Sequence, residues 1–575
     1  MQRIFLLSLT VLCFLYFLIG FFHPILIDYD LGRHLLFGEI MSQTHAVINT
    51  NLISYTNPNF AYVNSHWLSE SIFYYISEFS GFNGLTVFTI IISFLSLGII
   101  FIFSVKKFPL IACIITLSLY VGFFLERPDI RPEIFSYLFL AFFIVILYRF
   151  RENYTKTIFL LIPIEVLWVN LHINFAVGLI LILLFLIDNL FSNRFRFNRS
   201  IQTLCLVFFL SLVSTLINPS LIKGALMPLT FFQNYAYQVE ENQNIFTLTS
   251  IYGYKVTLGF IFSLSVLILM SFVNRKKTDL IDWLLIFVFG IVVFFAFRNI
   301  SLFAYATFFT FAKATTGVSK NFSLNLRRYI SGKMYSYLKS FGLLMLCLVL
   351  FVGIVRFVSV QGLGFGINEN GKKAVDFLIK NRIKGPIYNN FNFGQYLAYR
   401  LYPKEKIFVD ARPEAYPKEF FQKIYAPMQK NSIFFEKYAD IYKFNAVVIT
   451  TWDKTPYKNI ILTYLFNNNG SSFALVYLDD YAAVFLKKNS GNKSLIEKFA
   501  ISKDSFHLGK NQEALALVRY IFLFEKIDWK NQEVQAYKYL SLADPGNCFL
   551  RLYLSRLNIN GTNLYIKPKF SNNCL

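Results

Sequence analysis

Asp28 and Asp30, one tyrosine apart, stand where the first apolar run of the chain ends. At that spacing two carboxylates can share a divalent cation such as Mg or Mn, or one can serve as a general base. The same pair also occurs on plain solvated loops. This loop differs in its density of polar side chains: Arg33, His34 and Glu39, then Ser54-Tyr55-Thr56, then Asn64-Ser65-His66-Trp67-Leu68 with Glu70. A second dense stretch reads Glu126-Arg127-Pro128-Asp129-Ile130-Arg131-Pro132-Glu133. Guanidinium groups keep their charge and bind phosphate through paired N–H donors, so Arg127 and Arg131 suit a phosphate-bearing substrate. Internal Arg–Glu pairing that fixes the loop is the plain alternative. His172, in Trp168-Val169-Asn170-Leu171-His172, and Arg298, beside Asn299, can meet a substrate or simply finish a helix end.

The elements that must position these side chains are membrane helices. Of the 575 residues 55% are hydrophobic and only 15% charged, against roughly 25% charged in a soluble chain. Apolar runs of spanning length recur through residues 1–360, and a bilayer core needs about 20 such residues per helix. The first, Ile4 to Ile27, is too long for a signal peptide's apolar core and lacks a small-residue cleavage site. Basic clusters at Arg3, Lys106-Lys107, Arg149 to Lys156, Arg194 to Arg199, Arg275-Lys276-Lys277 and Lys313 to Lys339 mark cytoplasmic loops. Each interval between them then holds an even number of crossings. Residues 157–190, about 51 Å as one helix, therefore divide into two spans near His172, and residues 280–314 divide near Arg298. With spans at 84–104, 109–125, 133–148, 201–217, 252–273 and 340–358, the chain is expected to be a polytopic α-helical protein of about eleven spans. Its N-terminus is then cytoplasmic and its C-terminal region outside, in a bacterial inner membrane. The misplaced polar residues collect on the outer side, as ionisable groups beside apolar spans do around a wet cavity. The inner half reads as apolar.

After Val360 the composition becomes that of a globular domain. Helical stretches at Lys372–Arg382 and Lys418–Met428 alternate with β-rich runs at Pro386–Tyr388, Ile407–Val409, Ala446–Thr450, Ala474–Tyr477 and Ala482–Leu486, which predicts a small α/β domain over 361–490. Residues 491–575 form a short helical tail, Glu513–Phe524 and Asn531–Leu542, open to a tetratricopeptide-like reading. If that tail faces an oxidising compartment, Cys548 and Cys574 can pair. The net charge of +22 follows from the cytoplasmic loops, and no nucleic-acid module accompanies it. Neither a Walker motif, a dinucleotide fingerprint nor a zinc spacing is present. Without ATP, a reaction in an outward-facing pocket must draw on an activated membrane-borne donor, such as a polyprenyl-phosphate sugar. The rival readings are a transporter or flippase of lipid-linked glycans, which the apolar inner half disfavours, and a non-catalytic assembly scaffold.

The run Asp28-Tyr29-Asp30, His34, Gly38-Glu39, Ser54-Tyr55-Thr56 and His66-Trp67-Leu68-Ser69-Glu70 resembles the large first outer loop (28–83) of a bacterial branch of the GT-C superfamily of membrane glycosyltransferases. Protein O-mannosyltransferases and lipid A aminoarabinose transferases are its distant relatives. Shorter echoes lie at Arg131-Pro132, Trp168 to His172, Ile217-Asn218-Pro219, Arg298 to Phe303, Asn389 to Leu397 and Phe408 to Arg412, so the likeness covers most of residues 1–490 as scattered motifs. Gly32 and Arg33 depart from it, standing where an aromatic pair is expected. The resemblance implies a sugar transfer from a polyprenyl-phosphate donor to a glycan, lipid or protein acceptor at the membrane surface. It implies Asp28 as base, Asp30 as its partner or metal ligand, and Arg131 and Arg298, with Arg127, at the donor phosphate. His34, His66, Trp67, Glu70 and His172 would shape the acceptor site, with Asp410 and Arg412 over it unless they only pair with each other.

Overall fold

The computed structural model describes residues 2–27, 30–230, 237, 242–252, 254–329, 331–451, 460–467 and 471–544. Asp28, Tyr29, Cys548 and Cys574 lie outside the described residues, so the carboxylate pair and the disulfide are not seen.

Apolar runs in the first 361 residues become helices because only a helix satisfies its own backbone polar groups in hydrocarbon. In chain order these are α1 Gln2–Phe21, α2 Asp30–Thr44, α3 Trp67–Val105, α4 Leu110–Phe124, α5 Glu133–Glu152, α6 Leu161–Leu171, α7 Ala176–Ser192, α8 Arg199–Ser214, α9 Leu221–Ala225, α10 Met227–Thr230, α11 Ile245–Tyr252, α12 Tyr254–Val273, α13 Leu280–Phe295, α14 Ile300–Tyr329 and α15 Gly332–Gln361. Among the described residues five stretches are long and apolar enough to cross a membrane: Ile4–Phe21, Trp67–Val105, Glu133–Glu152, Ile173–Ser192 and Ser336–Ser359. Leu110–Phe124, Arg199–Ser214, Thr257–Val273 and Leu280–Phe295 are shorter apolar helices. The chain is a membrane protein. In the stretch 157–190, α6 and α7 meet at His172, and in 280–314, α13 and α14 meet across Phe297–Asn299. α3 bends at Gly81, whose φ of +64° is costly for any residue with a Cβ.

Where α1 ends, β1 (Ile25–Leu26) pairs in parallel with β2 (Ile367–Asn368), six residues beyond α15. That short ladder brings the loop after α1 against the C-terminal region. There β3 (Ile387–Asn389), β4 (Ala446–Thr450), β5 (Phe473–Leu478) and β6 (Ala482–Lys487) form one sheet in the order β3-β4-β6-β5, with β3 parallel to β4 and the other pairs antiparallel. α16 (Lys372–Lys380) precedes β3, and α17 (Gly394–Leu401) follows it and packs on α2. Helices Ala514–Ile527 and Lys530–Ala543 pack on each other, joined through a left-handed Asp528. The β-rich run Ile407–Val409 does not enter the sheet. Its backbone instead exchanges hydrogen bonds with the loop after α2, Ile407 N–H to Ile53 O at 3.1 Å and Tyr55 N–H to Ile407 O at 3.1 Å. Ser54 Oγ donates to Phe408 O at 3.1 Å. A segment with strand propensity takes whichever partner satisfies its backbone, and here the membrane half supplies it.

Gly394 opens α17 at a point where the chain has no spare room. A Cβ there would lie 1.9 Å from Val409 O and 2.8 Å from Asn389 Nδ2. Gly394→Ala is expected to force backbone apart and lower stability by about 1–3 kcal/mol or more. Thermal unfolding of the detergent-solubilised protein checks this, and an unchanged midpoint would show that α17 has room to move.

Candidate active site

The polar residues of the first outer loop gather on α2 and on the start of α3. Asp30 sits in the first turn of α2, where the helix dipole favours a carboxylate. Arg33 and His34 come three and four residues later, on the same face. Asp30 Oδ2 accepts from Arg131 Nη1 at 3.0 Å, and its Oδ1 accepts from Gln395 Nε2 of α17 at 2.9 Å. Burial alone would raise the Asp30 carboxyl. The cationic neighbours, Arg33 foremost, and the Gln395 hydrogen bond outweigh it and hold the group below the usual carboxylate range. Each oxygen thus has a partner, and Asp30 as it stands is an arginine-bound carboxylate. Among the described residues no group of three or more His, Cys, Asp or Glu side chains is arranged to hold a metal ion.

Glu70, in the first turn of α3, is fully buried. It accepts from Arg33 Nη1 at 3.1 Å, His34 Nδ1 at 3.0 Å and Asn64 Nδ2 at 2.7 Å. Arg33 also donates through Nε to Gln395 Oε1 at 3.1 Å, so one guanidinium ties α2 to α3 and α17. Gly32 beside it is required by close packing: a Cβ would meet Ile27 O at 3.0 Å and Tyr399 at 3.2 Å.

A row of imidazoles leads from Glu70 to a second buried carboxylate. The ring centroids of His34 and His66 are 5.9 Å apart, and those of His66 and His172 are 5.2 Å apart. His172 sits at the α6–α7 junction. The backbone N–H of Asn174 donates to His172 Nδ1, which makes that nitrogen an acceptor, so Ser136 Oγ, which accepts from Trp168 Nε1 at 2.9 Å, donates to it at 2.8 Å. This network assigns the proton to Nε2, which lies 3.9 Å from Glu133 Oε2. Glu133 Oε1 in turn receives Arg127 Nη1 at 2.8 Å and Arg298 Nη2 at 3.1 Å, and Arg298 Nη1 donates to Asn242. Burial first, and then the repulsion a protonated His66 would meet from its imidazole neighbours and from Arg33, pushes His66 well below the ordinary imidazole range. His66 is thus a neutral imidazole at pH 7, held mid-row by a 3.4 Å contact to Ser65 Oγ.

Asp30, His34, His66, Glu70, Arg127, Arg131, His172 and Arg298 are therefore one connected group, at the ends of α2, α3, α5, α6 and α14 that face the C-terminal domain. Trp67 stands beside it, its indole N–H on Asn170 Oδ1 at 2.9 Å. Asp410 and Arg412 lie apart, in an internal lock. Arg412 is 1% exposed and binds Asp410 through Nε and Nη2 and Asn51 Oδ1 at 2.8 Å, while Tyr416 also donates to Asp410. Its guanidinium lies 4.8 Å from the Phe37 ring centre and 4.9 Å from that of Tyr62. The pair clamps the loop after α2 to the domain and does not open into the histidine row. Arg33, Gln395 and Glu133 were not singled out from the sequence as site residues, although each lies in a polar motif and two of them bridge the others.

The expectation of an apolar inner half is corrected by the structure. Eighteen residues along α5 from Glu133, about 27 Å of helix, Arg151 binds Asp188 at 2.6 Å and Asp279 at 3.4 Å. Lys313 binds Asp279 at 2.6 Å and Asp282 at 2.7 Å. Asp282 also accepts from Thr310 and Tyr148, and Asp188 from the Ile281 N–H. Each of these carboxylates stands near a basic cluster in sequence and so reads as loop charge. In three dimensions Asp188 and Asp282 are buried, and all three are paired, tying α5, α7, α13 and α14 together.

No protein-family model and no curated protein matches the chain. Its fold is similar to that of a solved oligosaccharyltransferase. That structure is the archaeal oligosaccharyltransferase AglB from Archaeoglobus fulgidus, in complex with an inhibitory peptide and a dolichol-phosphate. It matches over 98% of this chain and 87% of that chain with a TM-score of 0.56 and 11% identity. At that identity the likeness is one of fold.

Proposed function

We propose that the chain is a glycosyltransferase of the bacterial inner membrane, moving a sugar from a polyprenyl-phosphate carrier to an extracytoplasmic acceptor. The observation that carries the reading is the single cluster of carboxylates, imidazoles and guanidiniums from separate loops beneath the C-terminal domain. The shared fold supports it, because the matching oligosaccharyltransferase was solved with a lipid phosphate and a peptide. In the transfer, an acceptor nucleophile forms a bond to the anomeric carbon as the bond from that carbon to the phosphate oxygen breaks. The nucleophile's proton passes to a base, for which Asp28 is the first choice with Asp30 as its partner. Negative charge collects on the departing lipid phosphate, and preorganised cations aimed at that charge are usually the largest contribution to such catalysis. Arg127 and Arg298, converging on Glu133, and Arg131, on Asp30, are the cations for that task. His34, His66, Trp67, Glu70 and His172 line the acceptor side. If a divalent cation takes part, Asp28 and Asp30 are the residues that would hold it. A transporter of lipid-linked glycans would need this cluster joined to the Arg151–Lys313 network at the far helix ends, and among the described residues each is closed by its own pairs.

Mass spectrometry of lipids retained by the purified full-length protein tests the reading. A polyprenyl-phosphate species is expected with the native chain and is expected to be lost from an Arg127→Gln/Glu133→Gln/Arg298→Gln variant, in which no buried charge is left unpaired and stability is largely kept. Retention by the variant equal to that of the native chain would overturn the assignment of these arginines. Absence of such a lipid together with no transfer from a supplied polyprenyl-phosphate sugar would overturn the function.

A further inference from the structure

A cavity of about 330 Å³ opens on the same side of the molecule, outside the histidine row. Three parts of the chain enclose it: residues 60–63 of the loop before α3, Lys223 to Thr230 of α9 and α10, and Glu414, Tyr416 and Lys418 of the C-terminal domain. Its size falls in the range of about 300–1,000 Å³ typical of small-molecule sites. Phe60, Tyr62 and Tyr416 supply aromatic walls, the two tyrosines buried. Lys223, Lys418 and Glu414 supply charge, and among the described residues none of the three has an ion-pair partner. The Tyr62 hydroxyl, buried in the wall, and Arg412 Nη1 behind it make no hydrogen bond in this geometry.

One rim of the cavity is apolar and exposed. α9 and α10 come after the apolar helix α8, and Leu221, Ile222 and Leu229 are 65%, 63% and 72% exposed around Lys223. Exposed apolar side chains interleaved with a lysine, directly after a membrane helix, are what an interfacial segment presents to the headgroup region. The opposite wall leads to the candidate active site. From Tyr62 the chain runs through Asn64, which binds Glu70, to His66 in the imidazole row. Arg412 lies over both Tyr62 and Phe37, and Arg33 lies 5.8 Å from the Phe37 ring centre.

We propose that this cavity holds the phosphate-bearing sugar headgroup of a membrane lipid, as the acceptor whose reactive end reaches the histidine row. The aromatic walls suit the apolar face of a sugar ring. The two unpaired ammonium groups suit its phosphate. Glu414, which burial raises above the usual carboxylate range, suits its hydroxyls as acceptor or donor. The acyl chains would leave along Leu221, Ile222 and Leu229. Calling the occupant an acceptor rests on the transferase reading; the binding site itself does not.

The test is equilibrium binding to the full-length protein in detergent, read by native mass spectrometry without any sugar donor. Four probes separate the chemistries: dioctanoyl phosphatidylinositol, which carries a phosphate and a polyhydroxylated ring on a lipid; dioctanoyl phosphatidylglycerol; a dioctanoylglycerol monoglucoside; and free glucose 6-phosphate. Phosphatidylinositol is expected to bind saturably and at least about tenfold tighter than the other three, and Lys223→Gln/Lys418→Gln is expected to weaken it about tenfold to a hundredfold. Equal binding of phosphatidylglycerol would reduce the site to a charged patch. Equal binding of glucose 6-phosphate would make its ligand a free phosphosugar, and an unchanged double variant of native stability would remove the lysines from it; each of these overturns the proposal. If transfer fails while lysine-dependent phosphatidylinositol binding persists, the transferase reading falls and the headgroup site stands.

Discussion

Glu70→Leu is expected to lower the stability of the folded protein by about 3–5 kcal/mol, the range seen when one partner of a buried ion pair is removed. The reason lies in what remains. Glu70 is 0% exposed and accepts three hydrogen bonds, from Arg33, His34 and Asn64. A leucine fills the space but leaves a buried guanidinium facing it, and Arg33 keeps Gln395, a 3.4 Å contact to His34 Nε2 and a distant Asp30 at 3.9 Å. Removing both charges reverses the argument: Arg33→Met with Glu70→Leu leaves no uncompensated charge and is expected to recover most of the loss. Denaturation midpoints of the two single variants and the double variant in detergent form the cycle. If the double variant is no better than the worse single one, the pair is not what holds α2 to α3. Activity need not return with stability, because the double variant also removes the anchor of His34 and the link from Arg33 to α17.

The network around Glu70 shows how far the sequence could be read. That Glu70, His34, His66 and Asp30 are out of place was visible, because ionisable side chains beside apolar runs are rare and must find partners. Which partner each would find was not visible. Asp30 and Gln395 are separated by 365 positions, and no periodicity links a helix start in the membrane half to one in the C-terminal domain. Glu133 shows the same limit. In sequence it is one acid of a charged turn, whereas in space Arg127 and Arg298 converge on it and His172 points at it. The run Ile407–Val409 has the residues of a strand, and only tertiary context directs its backbone to the loop before α3 instead of the sheet. Asp188, Asp279 and Asp282 failed to stand out for an opposite reason. Lysines and arginines near them in sequence made them look solvated, although two of the three are buried.

Asp30→Asn is expected to lower sugar transfer by about 10²–10⁴-fold, the usual contribution of positioned acid–base groups. Stability should fall by less than for Glu70→Leu, because the asparagine keeps the shape and an oxygen that can still accept from Gln395 or Arg131. The charge, however, is what faces Arg131 at 3.0 Å. Its loss weakens that pair and removes the partner that would hold Asp28 oriented. Because the Asp30 carboxyl is held below the usual range, any stability it contributes is present above the unfolded-state carboxyl pKa and is lost as pH falls through the lower folded value. Activity that depends on its ionised form should likewise survive mild acid. Asp28→Asn under the same assay separates base from partner, since the base should show the larger loss in kcat at unchanged KM. Full activity in both variants would move the base elsewhere, and His66 is then the group to examine. It is neutral at pH 7 and lies between His34 and His172, so His66→Gln should abolish transfer while Asp30→Asn leaves it intact. The two assignments therefore predict opposite results from the same pair of variants, and a single transfer assay decides between them.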